Sequence, residues 1–158
     1  MPVFAKEVLG GGATNLGYLV GCSGLGALIG AIFIASQKSN HNLAHFIFGG
    51  AFISGLGFIV FSISKVLWLS LISVFVISFG IMLIIAFCNI LIQTVVDDDK
   101  RGRVMSLHVL ALMGMTPFGN LLLGSLSSRI TAPHTFMIVG IIVLLGALTY
   151  KKKQISSF

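Results

Sequence analysis

The chain has 158 residues, of which 56% are hydrophobic and 9% charged, and its mean hydropathy is +1.07, a balance that excludes an ordinary soluble domain. Ten Lys plus Arg and four Asp plus Glu are too few for a hydrated shell, and they gather between long apolar runs, as a bilayer requires when a charge at its centre costs at least about 2.5–3.5 kcal/mol. The net charge of +6 does not indicate nucleic acid, because the basic residues sit at the ends of apolar runs and are not interleaved with aromatics on a polar surface.

Residues 1–12, MPVFAKEVLGGG, lack the basic start and the apolar core of a signal peptide, so no cleaved leader is expected. A crossing needs about 20 mainly apolar residues, and five stretches qualify: 13–36, 43–63, 66–93, 104–127 and 135–150. The expected fold class is therefore an all-α membrane protein of five transmembrane helices. Polar and turn-forming residues separate the spans at 37–42, at Ser64 and Lys65, at 97–103 and at 128–134. Without a tight turn at Lys65, residues 43–93 would form one apolar run too long for a single crossing. Trp68 just beyond fits an interfacial anchor.

Five crossings place the termini on opposite sides. One face then receives Lys38, Lys100, Arg101, Arg103, Lys151, Lys152 and Lys153, and the other only Lys6, Lys65 and Arg129. Positive-inside bias puts the first face, with the carboxyl terminus, in the cytoplasm.

Within the spans, Cys22 and Cys88 read as small packing residues without a disulfide, redox or metal role. Gly17 and Gly21, then Gly26 and Gly30, have the small-xxx-small spacing that lets helix backbones approach closely. Asn89 and Gln93 are one turn apart on a face continued by Met82 and Ala86. A polar face in a membrane points to a protein interior or an aqueous cavity, and for Asn89 helix-to-helix hydrogen bonding is the plain alternative. Asn120 lies beside Thr116 and Pro117, where proline frees a carbonyl that either lines a cavity or bonds a neighbour. His45 and His108 fall near helix ends, where interfacial hydrogen bonding is the plain reading, and His41 and His134 fall in loops. In the segment 97–103, Asp97, Asp98 and Asp99 precede a helix start and complement its dipole. Arg101 and Arg103 can reach anionic headgroups or acids of a partner half.

Three stretches in register resemble the major facilitator superfamily, specifically its enterobactin-exporter-like and macrolide-efflux-like branch. They are residues 2–12, the Gly-rich run 24–31, and the segment from Asn89 to Gln93 followed by DDDKRGRVMS at 97–106. The resemblance covers essentially the whole chain and implies that its spans correspond to helices eight to twelve of a twelve-helix transporter, with helices one to six and most of helix seven absent. It implies a gate role for the 97–103 loop, with a solvated loop that only sets topology as the plain alternative, and a partial small-molecule exporter of drugs or siderophores, inactive alone, in a bacterial inner membrane. The implied partners are the bilayer, a separate amino-terminal half and an undetermined substrate. The 36–42 loop departs from the family's Gly, Asp and Arg-rich form. The alternative is a structural or regulatory membrane protein acting through its glycine faces. No nucleophile and base pair or ligand cluster occurs in the spans, so no enzyme activity, cofactor or metal is expected.

Overall fold

A computed structural model of the chain describes residues 13–37, 43–129 and 132–155. Five helices run in order: α1 Ala13–Ser36, α2 Leu43–Ile63, α3 Leu67–Val95, α4 Asp98–Arg129 and α5 Ala132–Ile155. Each is long and apolar enough to cross a bilayer, and no strand occurs among the described residues. The fold is thus an all-helical membrane bundle.

The first two helices coincide with the spans read from hydropathy. The other three run past the far ends of theirs, and α4 and α5 also start earlier, α4 at Asp98 rather than near residue 104. The 97–103 segment is accordingly the first turns of a helix, and only Val96 and Asp97 link α3 to α4. The cause is local: Asp98 and Asp99 stabilise the positive end of the helix dipole, and the Lys100 amide already donates to the Asp97 carbonyl at 3.0 Å. Hydropathy marks where a helix leaves the hydrocarbon, not where it stops.

A tight turn does separate α2 from α3. Ser64 is buried and donates its amide to the Val60 carbonyl at 3.1 Å. Its hydroxyl donates to the Val66 carbonyl at 3.0 Å and lies 2.9 Å from the hydroxyl of buried Ser70. Polar groups that would be costly to leave unpaired inside the bundle therefore bond to one another.

Packing centres on α2 and α3, with α1 against α3 and α5 against α2. One core cluster joins Leu19, Phe61, Val74 and Ile77, and Phe136 packs on it, edge-on to Phe61 at 5.0 Å. A second joins Leu43, Ile47, Leu83 and Phe87 nearer the other membrane face. Glycine sets how closely these helices lie. A Cβ at Gly50 would sit 2.8 Å from the Gly80 carbonyl oxygen, and one at Gly80 would sit 2.6 Å from that of Gly50. Gly55 and Gly140 bring α2 and α5 together in the same way: a Cβ at Gly140 would lie 3.0 Å from the Gly55 carbonyl oxygen.

On α1, a Cβ at Gly26 would collide with the Phe75 backbone, and one at Gly30 would be 3.1 Å from Met82 Cβ. A Cβ at Gly17 or Gly21 would meet nothing within 4 Å among the described residues, so only one of the two spaced pairs marks the α1–α3 contact. Replacing both Gly26 and Gly30 with Leu is expected to lower the melting temperature of the detergent-purified protein, whereas Gly17→Leu with Gly21→Leu leaves it near that of the parent. Equal melting of the two double variants would contradict this packing. Cys22 and Cys88 are both free thiols.

Candidate functional site

The most unusual surface belongs to α4. Among the described residues it touches only its chain neighbours α3 and α5, and sparsely, and none of its membrane-crossing stretch is buried. Leu107, Leu110, Met113, Leu121 and Leu122 are each at least 70% exposed along one half of the helix, and Val109 and Leu112 on the other half are still 43% and 44% exposed, so exposure is not confined to one lipid-facing side. Gly102, Gly114, Gly119 and Gly124 also look onto open space.

Lipid alone suits this helix poorly, because its surface is not uniformly apolar. Ser106 and Thr116 return their hydroxyls to the Arg103 and Leu112 carbonyls at 2.9 and 2.8 Å. Asn120 is exposed and makes no side-chain hydrogen bond among the described residues. Pro117 lies inside the helix and has no amide proton for the carbonyl four residues earlier, that of Met113. Half-buried His108 keeps Nε2 shielded with no partner. Unpaired amides and carbonyls facing hydrocarbon cost several kcal/mol, so α4 is built to meet protein or an aqueous cavity. A groove of about 570 Å³ runs along it, lined by Met105, Ser106, Val109, Leu110, Met113 and Gly114. Flexible methionine surfaces adapt to varied apolar shapes.

The polar residues singled out in the sequence do not converge. Asn89 is half-buried and Gln93 exposed, near the end of α3 that leads into α4. Neither makes a side-chain hydrogen bond among the described residues. Their stripe is closed off further along, where Met82 lies against the Gly30 position of α1. Asn89 lies about 9 Å of helical rise from the α3–α4 turn and Asn120 about 33 Å. The two amides therefore occupy different depths.

At the α3–α4 turn, Asp97, Asp98, Asp99, Lys100, Arg101 and Arg103 are all exposed. Asp98 pairs with Arg101 one turn on, and at such exposure the pair contributes at most about 1 kcal/mol. Arg103 and Asp99 form no ion pair among the described residues. The turn thus presents unspent charge of both signs at one membrane face. Hydropathy could not reveal the openness of α4, but the polar and proline content of residues 106–120 is its trace in the sequence.

Compared with known proteins, residues 1–158 match the family described as transmembrane secretion effectors, of the major facilitator type. No curated protein and no solved structure matches the chain.

Proposed function

Starting from the chain's membership of the transmembrane secretion effector family of transporters, we propose that its five spans act as helices eight to twelve of an exporter of small molecules such as drugs or siderophores. The observation that carries this reading is α4, a full crossing with nothing buried and with unpaired polar groups. Transporters of this kind hold substrate near the midplane between two helical halves. In this proposal α4 and the Asn89 end of α3 form one wall of that cavity, and an amino-terminal half, on the same or a separate polypeptide, forms the other. Asn120 and the Met113 carbonyl offer hydrogen bonds on a surface otherwise apolar and methionine-rich, and Asn89 and Gln93 border the same wall at the opening. Asp97, Asp98, Asp99, Arg101 and Arg103 face the partner half's loops, where their charges close the gate.

Co-expression with a six- or seven-helix amino-terminal half of an exporter in this family is the test. Efflux of a hydrophobic dye should rise above that of either half alone, and Asn89→Leu should reduce it roughly tenfold, the scale of one lost hydrogen bond to substrate. Unchanged efflux by Asn89→Leu would remove that residue from the cavity.

The same reading places the face bearing Gln37 and the 97–103 charges in the cytoplasm of a bacterial inner membrane. In a cysteine-free background, Gln37→Cys should resist an impermeant thiol reagent in intact cells, while Lys65→Cys reacts. The reverse pattern would invert the topology.

A further inference from the structure

Apart from the groove along α4, α2 and α3 enclose a second, smaller groove of about 270 Å³. Ile53, Leu56, Gly57 and Val60 line it from α2, and Leu69, Ile72, Ser73 and Val76 from α3, each set being the i, i+3, i+4, i+7 stripe of one helix face. Gly57 makes the floor: a Cβ there would lie 2.7 Å from Ile77 Cγ1. Ser73 is buried beside it with its hydroxyl given to the Leu69 carbonyl at 2.7 Å, so the floor offers no free polar group. At the mouth is the Ser64–Val66 turn, held by the Ser64 and Ser70 hydroxyls. That turn carries exposed Lys65, and Trp68 follows, 76% exposed.

We propose that this groove binds one anionic phospholipid, its acyl chain between α2 and α3 and its phosphate on Lys65. Length decides between lipid and helix. From Val60 to Ile53 the groove runs about 10 Å, within the roughly 15 Å of hydrocarbon in one leaflet, whereas a packed transmembrane helix would continue its contact across about 30 Å. Charge decides the headgroup. The acidic side chains among the described residues are Asp97, Asp98 and Asp99, at the far end of α3 about 43 Å of helical rise away. Among the described residues Lys65 therefore has no carboxylate within reach, and a phosphate at headgroup depth supplies a counter-ion. Trp68 sits at the level where indole rings anchor at the bilayer interface. The inference does not depend on transport and holds or fails separately from it.

The test uses the full chain purified in detergent and titrated with dioleoyl phosphatidylglycerol or dioleoyl phosphatidylcholine, with bound lipid counted by native mass spectrometry. One phosphatidylglycerol should bind ahead of phosphatidylcholine. Lys65→Gln should weaken it about fivefold, the effect of one basic residue at an anionic surface, while Lys65→Arg retains it and Lys100→Gln, at the other membrane face, does not matter. Val60→Trp should fill the groove and weaken both lipids. Should that variant fail to fold, photolabelling of the parent chain with a diazirine-bearing phosphatidylglycerol should mark peptides of α2 and α3. Equal binding of the two lipids, indifference to Lys65→Gln, labelling centred on other helices, or a second copy of the chain in place of lipid would each overturn the proposal.

Discussion

Gly80→Leu is expected to leave essentially no monodisperse protein after detergent extraction, the largest stability effect of any single change considered. Inserting methylenes into a packed core ordinarily costs about 1–3 kcal/mol because neighbouring side chains yield. Here the first obstacles are the Gly50 carbonyl oxygen at 2.6 Å and the Ser54 backbone nitrogen at 3.0 Å from the new Cβ, and backbone inside a helix cannot move without moving the helix. Since α2 carries both α3 and α5, parting α2 from α3 undoes the bundle rather than one contact. Gly50→Leu should behave alike, because its Cβ meets the Gly80 carbonyl oxygen at 2.8 Å. The double variant should be little worse than either single one, as expected when both break one contact. Gly114→Leu, which enters open space on α4, is the matched control and should extract like the parent. Fluorescence-detected size-exclusion chromatography reads all four, and a sharp peak for Gly80→Leu would show that the α2–α3 contact is not as close as described.

These glycines also mark how far the sequence could be read. Span number and the first two boundaries follow from length and hydropathy alone, because the bilayer imposes both. Choosing the packed face is harder, since every span is apolar nearly all round and periodicity carries little signal. Small-xxx-small spacing selected Gly26 and Gly30, which do lie on α3, and equally Gly17 and Gly21, where an added Cβ would meet nothing within 4 Å among the described residues. The same spacing holds for Gly50 and Ser54, and it is this pair that meets Gly80. Spacing identifies faces able to pack, while the partner helix decides which of them do. Ser64 illustrates the opposite case: as a polar residue in the gap between two apolar runs it announced a turn, and its hydroxyl holds that turn.

The candidate site was legible as chemistry but not as geometry. Asn89, Gln93 and Asn120 stand out because amides are costly in hydrocarbon, yet nothing in their spacing reveals that Asn89 and Asn120 lie at different depths or that α4 stands apart from the bundle. The acidic run at 97–99 was legible as a helix-start signal, although hydropathy placed the start of the span several residues later.

The second large effect concerns transport by the 158-residue chain alone. Alternating access closes two helical walls around a central solute, and in the proposed reading α4 with its open groove supplies one. No Asp, Glu, Lys or Arg lies between Leu67 and Val95 or between Val104 and Leu122. His45 and His108 are left as the imidazoles within the spans that could relay a proton, and His45 is exposed near one end of α2. Purified chain reconstituted in liposomes under a proton gradient, assayed with hydrophobic dyes and siderophore-like compounds, tests this account most directly. The predicted result is flux indistinguishable from protein-free vesicles, rising only when an amino-terminal half is incorporated alongside. Gradient-dependent, saturable flux by the chain alone, abolished by His108→Ala, would contradict it.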